Sequence, residues 1–145
     1  LRRVNKMADT VTGPEIVQQN DKRFVVKLVN QSDGTGSTTV MVDISALAVS
    51  TSGQTVTRAT LQRLWFSCAG GDGGDSYARL DFEDSDGDRP LLGLTNTGYW
   101  DFREFGGLPA SRDDNTNGDI NFVVPGAADA GNMYSIVAEF IKEYS

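Results

Sequence analysis

Carboxylates are the residues of this chain most able to do chemistry, and they are densest between residues 72 and 88. This group comprises Asp72, Asp75, Asp81, Glu83, Asp84, Asp86 and Asp88. Clustered oxygen atoms with glycine between them suit Ca²⁺, which takes about six to eight oxygen ligands. Asp84, Asp86 and Asp88 therefore form one candidate calcium loop, although Gly87 occupies the fourth position and not the sixth position of an EF-hand loop.

A second candidate calcium loop begins at Asp113. Asp113, Asn115, Asn117 and Gly118 match positions one, three, five and six of the EF-hand pattern, but position twelve is Val124 and the bidentate Glu is missing. The alternative for both segments is an Asx-Gly turn, in which the side chains bond to nearby backbone N–H groups.

Catalytic chemistry has little support in the residue types. A pair of carboxylates can hydrolyse a glycosidic bond, and the nearest pairs along the chain are Asp81 with Glu83 and Asp101 with Glu104. The chain has no His, so it offers neither a Ser-His nucleophile pair nor a His-ligated metal site. Its single Cys, Cys68, is expected to be a small buried hydrophobic residue. We expect a protein that is not an enzyme.

Aromatic residues are the other candidates for a site. Trp65, Tyr99 and Trp100 are expected first as core residues, second as part of a protein interface, and third as a platform that stacks sugars. A core residue is buried, whereas an interface residue or a sugar platform is exposed. The strands that carry the three aromatic residues therefore determine which role is possible.

The segment of residues 57–68 organises the rest of the chain. It contains no Gly or Pro and is rich in β-branched, aromatic and apolar residues, which suit a pleated sheet. At roughly 3.3 Å per residue it would span about 40 Å, which is long for a strand. We therefore predict a central strand that bends or changes partners midway. Leu64, Trp65 and Phe66 are apolar on both sides, which predicts that both sides are covered.

Seven further segments have the composition or alternation of strands. They are residues 22–31, 38–44, 77–83, 90–94, 99–105, 119–124 and 133–144. Turn signals predict a hairpin between the first two and a turn at residues 96–98. A helical interpretation of residues 134–144 stays open. About eight short strands with frequent turns predict an all-β, single-domain antiparallel β-sandwich or jelly-roll-like fold.

The first 21 residues are predicted to form an extended N-terminal arm before a β-sandwich domain of residues 22–145. The arm has little patterned apolarity, although residues 13–20 are compatible with one short helical turn because Pro14 stands near its start. Residues 1–6 precede Met7, which reads as an ordinary protein start. We interpret them as residues from an upstream or alternative start, or as residues added by cloning; the alternative is a basic arm that docks on an acidic neighbour.

The charge balance limits the classes of partner. The formal net charge is −7 over 145 residues, which argues against nucleic-acid binding because that needs Lys and Arg opposite phosphate. No apolar run approaches the roughly 20 residues of a transmembrane helix, and residues 1–12 lack the apolar segment of a signal peptide. We expect neither a nucleic-acid partner nor a membrane partner.

Three segments carry a family resemblance. They are residues 7–31, beginning Met-Ala-Asp-Thr-Val-Thr-Gly-Pro; residues 101–108, Asp-Phe-Arg-Glu-Phe-Gly-Gly-Leu; and residues 118–144, with Gly-Asp-Ile-Asn-Phe and Gly-Asn-Met-Tyr-Ser-Ile. The set resembles small virion structural proteins of tailed phages, especially marine phages, and most of all capsid decoration or cement proteins. Residues 1–6 depart from the pattern, and the acidic turn of residues 84–88 is particular to this chain.

The resemblance implies a non-enzymatic protein, made in the host cytoplasm, that binds the major capsid protein on the exterior of the virion. It also implies a homo-oligomer, with trimers at local three-fold positions of the capsid. The candidate interface residues are Trp65, Tyr99, Trp100 and Arg103, with Val11 and Ile16 from the arm. Two alternatives stay open: another virion component, such as a tail, fibre or head–tail joining protein, and a carbohydrate-binding β-sandwich module.

Overall fold

Strands make up most of the residues that the computed structural model describes, which are 9–70, 77–85, 87–109, 116–125 and 130–144, without the side chains of 116 and 117. Short 3₁₀ turns lie at Ile44–Ala46 and Arg103–Phe105. Within the described ranges, the strands are β1 (Thr10–Gln19), β2 (Arg23–Gln31), β3 (Ser37–Val42), β4 (Val56–Ala69), β5 (Tyr77–Asp84), β6 (Arg89–Asp101), β7 (Leu108–Pro109), β8 (Thr116–Val124) and β9 (Met133–Tyr144).

The strands form one antiparallel path in the order β1-β2-β9-β4-β6-β5-β8-β3, and β7 pairs with β4 beside it. β6 connects the two halves of this path, because its residues 89–95 pair with β5 and its residues 96–101 pair with β4. The transfer occurs at Asn96, whose φ of 59° bends the strand. The sheet is nearly closed, so the all-β, sandwich-like fold is confirmed.

Alternate residues of β9 supply the centre of the core. Ile136, Ala138 and Phe140 are at most 1% exposed, and the ring of Phe140 stacks on Phe24 of β2 at 5.0 Å between centroids. The strand interpretation of this segment is therefore confirmed over the helical one. This period-two burial is what places Val137 and Glu139 on the outer side of the same strand.

The long central strand is also confirmed, together with its change of partner. β4 pairs with β9 on one side, and on the other side first with β7 and then with β6. Between Leu61 and Arg63 the register with β9 slips, which makes Gln62 the extra residue of a β-bulge. The bulge moves the buried positions from the odd-numbered Leu61 to the even-numbered Leu64 and Phe66.

The bulge explains why one expectation for β4 is wrong. The apolar run at Leu64, Trp65 and Phe66 predicted cover on both sides, but Trp65 is 39% exposed. Beyond Gln62, the core takes Leu64 and Phe66, so Trp65 points to the outer face of the sheet.

Three predicted local structures are also wrong. β3 pairs with β8 and not with β2, because the loop after β2 carries the chain to the other half of the sheet. Residues 96–98 do not reverse the chain, since β6 continues through the bend at Asn96 to Asp101. Residues 13–20 make no helical turn, because the backbone of β1 pairs with β2.

β1 is the part of the predicted arm that the structure describes, and it lies at the free edge of the sheet. It pairs with β2 alone, nine of its ten residues are exposed, and Val11 is half-buried against the core. Bulges and Pro14 interrupt its register, as is common in edge strands that avoid further pairing.

Asp9 fastens the start of β1. Its carboxylate accepts hydrogen bonds from Asn30 Nδ2 at 3.1 Å, Ser37 Oγ at 2.7 Å and the backbone N–H of Asp33 at 2.9 Å. We expect Asp9→Ala to lower the free energy of unfolding by about 1–3 kcal/mol, because the amide of the fully buried Asn30 loses an acceptor. Urea unfolding measures this loss; a change within about 0.5 kcal/mol would show that Asp9 does not hold the strand.

Candidate functional site

The outer face of the sheet carries an exposed pair of aromatic rings. Trp65 of β4 lies directly opposite Tyr99 of β6, and their ring centroids are 5.2 Å apart with planes 36° from parallel. Trp65 is 39% exposed and Tyr99 46% exposed. Because both side chains stand on paired strands, their spacing is set by the sheet and not by a loop.

A partly buried ion pair, in which the side chain of Arg63 is 28% exposed and that of Glu139 10% exposed, supports Trp65. Arg63 Nε and Nη2 donate to the two carboxylate oxygens of Glu139 at 2.9 and 3.1 Å, and the Arg63 guanidinium carbon lies 5.1 Å from the centre of the Trp65 ring. The hydrogen bonds from Arg63 hold the pKa of Glu139 below its ordinary value, and those to Glu139 hold the pKa of Arg63 above its ordinary value. The guanidinium is therefore fixed beside the ring as a cation.

A second arginine pair supports the Tyr99 side. Arg103 Nε and Nη2 donate to Asp101 at 2.9 and 2.7 Å, and the Tyr99 hydroxyl donates to the same carboxylate at 3.3 Å. The hydrogen bonds from Arg103 hold the pKa of Asp101 well below its ordinary value. We call Arg63, Trp65, Tyr99, Asp101 and Arg103 the aromatic–arginine surface.

Trp100 belongs to a different cluster, on the opposite side of β6. Its ring meets Phe66 edge-on at 5.6 Å and Phe102 at 5.9 Å, and Phe102 lies 6.1 Å from Phe105. Phe66 is buried at 7% exposure, Phe102 is half-buried, and Trp100 and Phe105 are 39% and 69% exposed. Gly98 makes room for the Phe66 ring, since a Cβ at residue 98 would lie 2.6 Å from that ring.

The structure therefore brings together only some of the predicted interface residues. Trp65, Tyr99 and Arg103 lie on one surface, whereas Trp100 faces away from it. Val11 and Ile16 lie on β1, four strands from β6 in the sheet order, which is about 19 Å measured along the sheet at the usual strand spacing. Ile16 is 43% exposed, so it is an exposed apolar residue outside the surface that carries Trp65, Tyr99 and Arg103.

Sequence reasoning missed two residues of this region. Arg63 lies two residues before Trp65 on the same strand face, a spacing that period two would have revealed. Phe105 was assigned to a predicted strand, but the strand ends at Asp101 and Phe105 protrudes from the 3₁₀ turn that follows. Its local sequence gives no signal for that exposure.

The candidate calcium ligands are only partly within the described residues. Asp84 is buried and paired with Arg89 at 3.2 Å, and Asp88 accepts from Asn121 Nδ2 at 2.9 Å. The other positions, Asp86, Asp113, Asn115 and the side chain of Asn117, lie outside the described residues. In the part of the chain that is described, no three acidic or sulfur side chains are placed to hold a metal ion. Calcium binding stays a prediction.

Two carboxylates of the predicted catalytic pairs, Asp81 and Asp101, are engaged by neighbouring arginines, and the thiol of Cys68 is buried. Asp81, which is 2% exposed, accepts hydrogen bonds from Arg79 Nε and Nη2 at 2.7 and 3.0 Å, and Asp101 pairs with Arg103 as described above. Cys68 is buried, as predicted, and burial raises the pKa of its thiol to about 11. A thiol with that pKa is almost wholly protonated near neutral pH and is a poor nucleophile.

The Arg63–Glu139 pair leads to a pH-dependent prediction. Because the pKa of Glu139 is lowered on folding, its stabilising effect is present above its unfolded pKa and is lost as the pH falls through its folded pKa. We expect Glu139→Gln to cost about 1–3 kcal/mol of unfolding free energy at pH 7, and the difference from the parent to shrink at pH 3. Urea unfolding at both pH values measures this. The control is Glu104→Gln, an exposed acid outside the pair; an equal cost for both variants would contradict the prediction.

Among the residues described, no helix is both long and apolar enough to cross a membrane. Comparisons with protein-family models, with curated proteins and with solved structures find no match. The case for a function therefore rests on the residues of this chain and on the surfaces that its fold presents.

Proposed function

We propose that this chain is a non-enzymatic virion structural protein that binds the outside of an assembled capsid and stabilises it. The observation that carries the proposal is the aromatic–arginine surface, an exposed Trp–Tyr pair held between two arginine–carboxylate pairs on adjacent strands. The resemblance of residues 7–31, 101–108 and 118–144 to decoration proteins supplies the kind of partner.

The composition of this surface suits protein binding. Trp, Tyr and Arg are the residue types that most often dominate binding energy at interfaces. Here the arginines already hold bidentate pairs, so fewer side-chain rotations are lost on association. The strands fix Trp65 and Tyr99 in the same way, which makes the surface largely preorganised.

Capsid stabilisation follows by mass action. A protein that bridges neighbouring capsid subunits binds the assembled shell and not the separate subunits, so it shifts the equilibrium toward the shell. The proposed partner is the major capsid protein, and the proposed form is a homo-oligomer, a trimer at local three-fold positions. The place of action is the capsid exterior.

The test is addition of the purified chain to capsids, prepared without it, of the phage that encodes it. We expect saturable binding to intact capsids, little binding to unassembled capsid protein, and release of packaged DNA at a higher temperature once the sites are filled. Equal binding to shells and to free subunits would contradict the stabilising role. Copies found only on tails in electron micrographs would support another virion component in its place.

One observation favours a second candidate, a carbohydrate-binding module. Trp65 and Tyr99 form an exposed aromatic plate, and the hydroxyl of Thr97 donates to Ser67 beside it at 3.2 Å. Rings flanked by hydroxyls and carboxylates offer both stacking and hydrogen bonds to a sugar. Retention of the folded chain on a glycan array, abolished by Trp65→Ala, supports this function; no retention on any glycan counts against it.

A further inference from the structure

A surface cavity lies away from the aromatic–arginine surface, between the first 3₁₀ turn, the start of β4 and the start of β8. Its volume is about 540 Å³. The apolar part of its lining is Ile44, Leu47, Val49 and Val56, and the carboxylates of Asp43 and Asp119 join them. Ile44, Leu47 and Val56 are buried, while Val49 is 53% exposed. The cavity thus combines an apolar wall with two acids.

Glycine lets β8 approach the first 3₁₀ turn and the start of β4 closely beside this cavity. Gly118 of β8 has a φ of +87°, and a Cβ at that position would lie 3.0 Å from both Ile44 Cγ1 and the carbonyl oxygen of Thr57. Only glycine allows this close approach without strain. β4 also carries an irregular register at Thr57, between Val56 and Arg58, which turns its first residues out of the regular ladder.

Both carboxylates are held in place by the 3₁₀ turn. Asp119 Oδ1 accepts the backbone N–H of Ile44 at 2.9 Å. Asp43 caps the turn and accepts from the N–H and hydroxyl of Ser45 at 3.1 and 2.6 Å. Burial raises the pKa of Asp119, and the negative charges of Asp43 and Glu83 raise it further. A cation placed in the cavity would relieve that repulsion.

We infer that this cavity binds a lysine or arginine side chain presented by a basic segment of a partner protein. The charged head would lie between Asp43 and Asp119, where charge-assisted hydrogen bonds are strong. The methylene stem would lie along Leu47, Val49 and Val56, in the way that long basic side chains cover apolar surface. The net charge of −7 favours the approach of such a segment. This inference does not depend on the capsid role.

The first test uses n-hexylammonium, which reproduces the charged head and the apolar stem, in an NMR titration of the full ¹⁵N-labelled chain. We expect saturable shifts at the amides of Ile44, Val56 and Asp119, with a dissociation constant in the millimolar range. Heptanoate and hexanol have the same six-carbon alkyl chain without the positive charge, and we expect at least about tenfold weaker binding for both. Equal binding by hexanol would overturn the proposed role of the carboxylates.

The second test uses the double variant Asp43→Asn/Asp119→Asn, since Asn keeps the acceptor oxygen for each backbone bond. We expect at least a tenfold loss of hexylammonium binding. The matched control is Glu15→Gln/Glu104→Gln, which removes the same charge at exposed positions outside the cavity and should bind as the parent does. Equal losses of binding in both double variants would show that only net charge matters, and would overturn the site. Unchanged binding in the Asp43→Asn/Asp119→Asn variant would also overturn it.

Discussion

Phe140→Ala is expected to lower the free energy of unfolding by about 3–5 kcal/mol, the usual range for a buried Phe. Phe140 is fully buried and stacks on Phe24 at 5.0 Å with planes only 10° apart. It also lies opposite Leu61 of β4 in the register of β9. The substitution therefore leaves a cavity where three adjacent strands meet, and the surrounding sheet has little freedom to fill it.

Urea unfolding, monitored by circular dichroism, measures this loss of unfolding free energy. The matched control is Ile141→Ala, the next residue along β9, whose side chain lies on the opposite face and is only half-buried. We expect it to cost clearly less, about 1–2 kcal/mol, because less apolar area returns to water. Equal losses at the two positions would contradict the assignment of the core face.

The sequence predicts well which face of a strand is buried, as the difference between Phe140 and Ile141 illustrates. Strand β9 alternates apolar and mixed residues, and period-two alternation requires only local geometry. The same holds for β2. In β5 the alternation fails after Leu80, because register shifts there bury Asp81 and Asp84 and leave Phe82 half-buried. Pairing depends on contacts distant in sequence, so the Asp33-Gly34 turn could not reveal that β3 pairs with β8 and not with β2.

Local signals were also misleading at β6. Asn96-Thr97-Gly98 has the composition of a tight turn, yet the strand continues through it. Asn tolerates a positive φ better than most residues, and here that freedom bends one strand from β5 to β4 rather than reversing the chain. The composition indicated an unusual backbone conformation at these residues, but not whether the chain reverses or continues as a bent strand.

For the candidate site, the sequence predicts which residue types could form an interface but not where the fold places them. Trp65, Tyr99 and Arg103 were chosen as interface residues because of their chemistry, but their shared surface depends on the pairing of β4 with β6 and on the bulge at Gln62. A bulge of one residue inverts every later side chain of a strand. Without it, Trp65 would face the core.

Trp65→Ala is expected to weaken binding to intact capsids by at least about 30-fold, which corresponds to the loss of about 2 kcal/mol typical of an interface hot spot. The substitution removes one ring of the exposed pair and leaves the Arg63 guanidinium without the ring it lies against. Since Trp65 is 39% exposed, the fold should survive. Binding isotherms on capsids measure the affinity, and thermal unfolding of the free variant checks that it is folded.

Trp100→Ala is the matched control, because Trp100 is the same residue type with the same 39% exposure on the opposite side of the neighbouring strand. If the aromatic–arginine surface is the interface, Trp100→Ala should bind capsids within about threefold of the parent, because Trp100 lies on the other face of β6 and outside the residues that dominate binding. A loss in Trp100→Ala with none in Trp65→Ala would place the capsid against the Phe66, Phe102 and Phe105 cluster. A loss in neither would remove both aromatic clusters from the interface and leave β1, with its exposed Ile16, as the surface to test.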